Sequence, residues 1–144
     1  MIRFVESSGS QYRILKMNEA GCWLIACDDP AAPFFVSALG MDGYHRIETP
    51  ESFLQHWGKD AMTAAEQKRL ELIQPLLNDE LCIVDKAHRL SLAKEIAVKS
   101  DTTERCVLRL YYRYLATGVL VESKERHAQS KPDYDWAIRT FYFS

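Results

Sequence analysis

The sequence holds little glycine, and none of it is clustered. Gly9, Gly21, Gly40, Gly43, Gly58 and Gly118 stand apart, so there is no glycine-rich loop to cradle a phosphate. The four cysteines, Cys22, Cys27, Cys82 and Cys106, form no Cys-x-x-Cys pair. His45, His56, His88 and His127 show no metal-ligand spacing. Free thiols are therefore expected, with no disulfide framework, no zinc site and no cofactor. No apolar run approaches the roughly 20 residues that span a bilayer. Met1-Ile2-Arg3-Phe4 is followed by Glu6 and polar residues, not by the apolar stretch of a secretory signal. The expectation is a soluble cytoplasmic protein without membrane contact. Catalytic constellations are missing as well. Asp28-Asp29 precedes Pro30 and reads as a turn. Cys106 lies near a helix start, but no histidine is placed by sequence to activate it.

What is present is apolar bulk and an uneven distribution of charge. Of 144 residues, 47% are apolar and 26% charged, which supports a packed core in one ordinary domain or two small ones. The net charge of −2 conceals an asymmetry. Residues 1–85 carry 7 Lys/Arg against 13 Asp/Glu, residues 86–131 carry 10 against 5, and residues 132–144 carry 1 against 2. A basic segment inside an acidic chain reads as a region facing a polyanion, or else as an unevenly charged solvated surface.

Local patterns give an α+β chain: a small antiparallel β module followed by a helical helix-turn-helix domain. Strands are expected at "IRFVE", "QYRILKM", "CWLIACD" and "FFVSAL", with "NEAG" and "DPAAP" as turns. Thr49-Pro50-Glu51 is a helix start with Thr49 as cap, and Phe53, Leu54 and Trp57 form its apolar face. Thr63-Ala64-Ala65-Glu66 is a capping box opening a helix with Leu70, Ile73 and Leu77 at helical spacing. Pro75 must kink that helix or end it near Gln74. Asp85 caps a helix to about Ser100 that turns Leu90, Ala93 and Ala97 inward beside Ala87 and Ile96, and leaves Lys86, Arg89, Lys94 and Lys99 to solvent. The division that follows is residues 1–48 as β module, 49–85 as connecting helices, 86–121 as helix-turn-helix, and 122–144 as a linker and the start of an aromatic helix.

The stretch "SDTTERCVLRLYYRYLATG" carries the functional signal. Asp101 or Thr102 stops one helix and caps the next, and Gly118 ends it. Val107, Leu110, Tyr111 and Tyr114 share one buried face. Arg105, Arg109, Tyr112 and Arg113 lie opposite. Two helices joined by about four polar residues have the layout in which the second helix enters the major groove. Arginine pairs bidentately with phosphate or guanine. Thr102 and Thr103 stand at the helix start, where hydroxyls and free amides meet phosphate or bases. Groove reading is thus assigned to Thr102, Thr103, Arg105, Arg109, Tyr112 and Arg113. Phosphate neutralisation is assigned to Lys86, Arg89, Lys99, Lys124, Arg126 and Lys131. The partner is double-stranded DNA. A competing reading treats the stripe as a plain exposed helix face.

Residues 86–118, "KAHRLSLAKEIAVKSDTTERCVLRLYYRYLATG", resemble the helix-turn-helix of the Mu-type bacterial transposases, and in particular that of the end-binding B subunit of Tn-seven-like elements. Arg113-Tyr114-Leu115 and Gly118 match the family's pattern, with Leu115 where tryptophan is usual. "YRILKMNEAGCWLIACDD", "EQKRLELIQPLLND" and "DYDWAIRTFYFS" resemble flanking segments in the same order. After Gly118 the chain departs from the family, with "VLVESKERH" in place of a Leu-Pro linker. The resemblance implies recognition of transposon ends and contact with other transposition proteins. It does not extend to strand transfer, because the family's RNase H-like core, with its three metal-holding carboxylates, is a further domain that these 144 residues do not accommodate. A non-catalytic, DNA-binding amino-terminal region of a transposase is the expectation. The alternatives are a protein-interaction module and a stand-alone transcriptional regulator.

Overall fold

The computed structural model describes residues 2–120. Five strands come first: β1 (Arg3–Ser7), β2 (Ser10–Asn18), β3 (Gly21–Ala26), β4 (Phe34–Ser37) and β5 (His45–Ile47). They form one antiparallel sheet in the order β4-β3-β2-β1-β5. Five helices follow: α1 (Glu51–His56), α2 (Ala64–Leu77), α3 (Leu81–Val84), α4 (Lys86–Lys99) and α5 (Glu104–Thr117). The chain is thus α+β, strands leading, as the local patterns implied.

Turn chemistry sets the sheet's register. Ser8 and Gly9 both have positive φ, 53° and 82°, which suits the two-residue turn between β1 and β2. Between β2 and β3 the Asn18 carboxamide oxygen accepts from the amides of Ala20 and Gly21 at 2.8 and 3.1 Å. Gly21 is required by crowding: a Cβ there would lie 2.1 Å from the Val36 carbonyl oxygen. The β2–β3 register shifts between Ile14 and Lys16, leaving Leu15 as the extra residue of a bulge. Leu15 packs on the helices, and Lys16 reaches Glu80 at 2.9 Å.

The two faces of the sheet meet different partners. Ile25 of β3 joins a buried cluster with Ile73, Leu76, Ala93, Ile96, Val107, Leu110 and Tyr111 from the helices. Its neighbour Leu24 points the other way and is fully buried with Val5 and Cys22 beneath Tyr12, Val36, Met41 and Tyr44. Met41 and Tyr44 come from the 3-10 turn Gly40–Gly43 and the residue after it. Each large apolar side chain so buried contributes roughly 1.5–3 kcal/mol. The sheet and the helices therefore share a core.

Several helix expectations need amendment. Pro50, with no side-chain cap bond, is the residue before α1, and Thr49 does not cap it. Leu54 is 65% exposed, so the apolar face of α1 is Phe53 and Trp57. Helix α2 has the expected capping box but runs past Pro75 to Leu77, without the hydrogen bond that an amide at position 75 would donate to the Glu71 carbonyl. Strand β5 and helix α3 add to the elements expected from the pattern. In α4 the inward residues are Ala93, Ile96, Ala97 and also Arg89, while Ala87 is exposed. The linker and aromatic helix expected at 122–144, with Lys124, Arg126 and Lys131, lie outside the described residues.

Candidate nucleic-acid interface

The α4–turn–α5 unit is built by local hydrogen bonds. Asp85 opens α4 by accepting the His88 amide at 3.1 Å. After Lys99 the chain reverses through Asp101, whose φ of 55° lets the Thr102 amide return to the Ala97 carbonyl at 3.0 Å. The cap of α5 is Thr103, not Asp101 or Thr102. Its hydroxyl accepts the Cys106 amide at 3.1 Å. Asp101 is consumed in ending α4, which moves the cap two residues along. At the far end Gly118, with φ 76°, closes α5 as expected.

Helix α5 lies in the middle of the molecule. Val107, Leu110, Tyr111 and Tyr114 form the expected buried face, and Leu115 and Ala116 extend it. Tyr114 stacks on Trp57 with centroids 4.6 Å apart. The fully exposed side chains of α5 lie in its first half. Thr103, Arg105 and Arg109 are exposed there, and Thr102, Tyr112 and Arg113 are half-buried. Thr103, Arg105, Arg109 and Tyr112 line an open cleft of about 670 Å³ together with Glu104 and Leu108. Its other wall is Pro30, Ala31 and Ala32, from the loop between β3 and β4.

The remaining cations are less concentrated. Lys99 is exposed beside the turn, and Lys86 is exposed at the start of α4, about 20 Å away along the helix axis. Arg89 is a correction. The pattern of α4 places it in solvent, but it is 3% exposed. Its Nη1 donates to the Cys82 carbonyl at 3.0 Å and the Ile83 carbonyl at 3.4 Å, and its guanidinium lies 5.8 Å from the Tyr112 ring. Those carbonyls end the short helix α3 and have no partner inside it. Arg89 thus braces α3 against α4 and supports Tyr112 from below. Burial raises the Tyr112 phenol above its ordinary pKa, with Arg89 opposing the shift.

Two constellations carry no signal in the sequence pattern. Arg13 of β2 is 9% exposed and lies beside the stacked pair Trp57 and Phe53, 4.3 and 5.1 Å from their centroids. Its Nη1 donates to the Leu115 carbonyl at 2.6 Å. Burial lowers its pKa to about 10. The second joins Asp79, Cys82 and His88, whose potential ligand atoms all lie within 4.8 Å of one another. The hydrogen bond to His88 holds the Asp79 carboxyl below its ordinary range, and burial pushes the Cys82 thiol up to about 11.

No protein-family model matches this chain, and comparison with curated proteins yields no match. The transposase resemblance therefore stands on the quoted motifs alone. Among the described residues no helix is long and apolar enough to cross a membrane.

Proposed function

We propose that the protein binds duplex DNA through the exposed first half of α5. The observation that carries this reading is the joint exposure of Thr103, Arg105 and Arg109 at the start of a helix whose opposite face is core. A helix of about 10–12 Å diameter matches a major groove about 12 Å wide. The backbone amides and positive dipole end of α5 favour an anion at the same place. Residues 86–118 hold 7 Lys/Arg against 3 Asp/Glu, and with Arg89 engaged internally the surplus outside rests on Lys86, Lys94, Lys99 and the α5 arginines. The more specific reading, transposon-end recognition by a non-catalytic transposase region, follows from the motif resemblance. Thr102, Tyr112, Arg113, Lys124 and Arg126 remain its further candidate contacts.

The test is a selection of bound duplexes from a random pool at moderate salt, followed by affinity measurements over a salt series. Binding that falls steeply with salt supports phosphate contact, since each neutralised phosphate lowers log K by about 0.9 per tenfold rise in salt. Recovery of a repeated motif supports base reading. Affinities that do not change with salt, or that match between wild type and the Arg105→Ala/Arg109→Ala variant, refute the proposal.

One observation favours a second reading. Pro30, Ala31, Ala32, Leu108 and Tyr112 give the cleft an apolar lining, which suits an apolar segment of a protein partner. Association through that lining would be nearly indifferent to salt, so the same series separates the readings.

A further inference from the structure

Asp79, Cys82 and His88 lie in three successive pieces of chain: the turn after α2, helix α3, and the first turn of α4. They offer one carboxylate oxygen, one sulfur and one imidazole nitrogen. Zinc and its late first-row neighbours accept this mixed donor set, whereas calcium and magnesium take oxygen almost alone. Local bonds hold the donors in place. Asp79 Oδ1 accepts the Leu81 amide at 3.1 Å, while Oδ2 meets His88 Nε2 at 2.7 Å. The His88 backbone is tied to the Asp85 cap at 3.1 Å. Arg89 Nη1 donates to the Cys82 carbonyl at 3.0 Å, anchoring the backbone that carries the thiol. Cys82 is fully buried, and the Asp79 and His88 side chains are each 37% exposed. The sulfur is therefore the inner donor, and the carboxylate and imidazole are the two that meet solvent.

We propose that Asp79, Cys82 and His88 bind a divalent cation of the zinc class, with water from the open side completing a tetrahedron. The cation takes the place of the proton between His88 Nε2 and Asp79, so that the imidazole carries its one proton on Nδ1 and any second proton passes to solvent, as does that of the Cys82 thiol. Thiolate and carboxylate carry one negative charge each and the imidazole is neutral. A dication thus leaves the site without net charge, and adds none beside the neighbouring Arg89 guanidinium. Bound there, the ion ties the end of α2, α3 and the start of α4 together. This proposal does not depend on DNA binding.

The test is titration of the full chain with cobalt(II) under reducing conditions. One equivalent should bind, with a thiolate-to-cobalt charge-transfer band and the intense visible bands of tetrahedral cobalt, and zinc should displace it. The band should persist in a Cys27→Ser/Cys106→Ser variant and vanish in Cys82→Ala. His88→Gln and Asp79→Asn should weaken binding by more than the roughly 10–100-fold that loss of an outer-shell partner costs. Because Cys82 is buried, circular dichroism should accompany Cys82→Ala; if that variant unfolds, the two half-exposed positions decide. Absence of the charge-transfer band in the wild type, its survival in folded Cys82→Ala, or unchanged affinity in both His88→Gln and Asp79→Asn would overturn the assignment.

Discussion

Replacing Arg13 by methionine and by alanine separates the charge of this buried side chain from its bulk. The guanidinium lies against the stacked Trp57–Phe53 pair and donates to Leu115, a carbonyl in the last turn of α5. A hydrogen bond from a charged donor contributes roughly 1.5–3 kcal/mol, and desolvated stacking on aromatic rings up to about 2 kcal/mol. Desolvation opposes both. It lowers the pKa from 12.5 to about 10, which at about 1.36 kcal/mol per unit amounts to roughly 3 kcal/mol against the charged form. The buried Nε has no partner either. These contributions nearly cancel, so Arg13→Met, which keeps the length, should alter stability by no more than about 1 kcal/mol in either direction. Arg13→Ala empties the space beside the rings and should cost about 2–5 kcal/mol. Urea denaturation with an unchanged slope measures both. A methionine variant as damaged as the alanine variant would show that the charge itself holds the sheet to α5, and that desolvation does not offset the hydrogen bond and the stacking.

Other perturbations test neighbouring parts of the molecule. Gly118→Ala should cost more than about 2 kcal/mol in thermal or urea unfolding, because φ is 76° and the new Cβ would lie 2.6 Å from the Trp57 backbone nitrogen. Thr103→Ala removes the cap of α5 and should cost about 1 kcal/mol; its effect on DNA affinity must be read after that loss is known. Glu66 closes the capping box and pairs with Lys59 at 2.8 Å, and the Lys59 hydrogen bond first, then that of Thr63, lowers its pKa. Its stabilisation is therefore complete above the ordinary glutamate value of about 4.3 and fades as pH falls through the lower folded value. Glu66→Ala should cost about 1 kcal/mol near neutrality, and its difference from wild type should shrink on acidification, as followed by urea midpoints. Arg109→Ala should weaken DNA binding by about 1–3 kcal/mol and relax preference at one base position if it reads a base, or lower the salt slope by about one if it contacts phosphate.

The features legible in the sequence are those whose partners lie within a few residues. The Thr63–Glu66 box, the Asp85 cap and the Gly118 stop each close a ring spanning three or four positions. The buried face of α5 is legible because one helix period recurs along it. Strand β5, three residues of "HRI", and α3, four residues of "LCIV", are too short to establish a period. Thr103 displaces the expected caps because Asp101 adopts a left-handed backbone that a sequence pattern does not reveal.

The amino-acid order alone determines that this chain has an antiparallel β module at its start, capped helices after it, and an arginine-bearing α5 with a four-residue turn before it, since propensity, capping and periodicity act over one or two turns. Tertiary structure decided which cations face water. A guanidinium is long enough to leave its own element and pair with carbonyls stranded at another helix end, so Arg13 and Arg89 went inside while Arg105 and Arg109 stayed out. The partner of Arg13 is 102 positions away, a distance that only packing can bridge. Packing likewise brought Asp79, Cys82 and His88 together, since their convergence depends on how α3 folds back against α4.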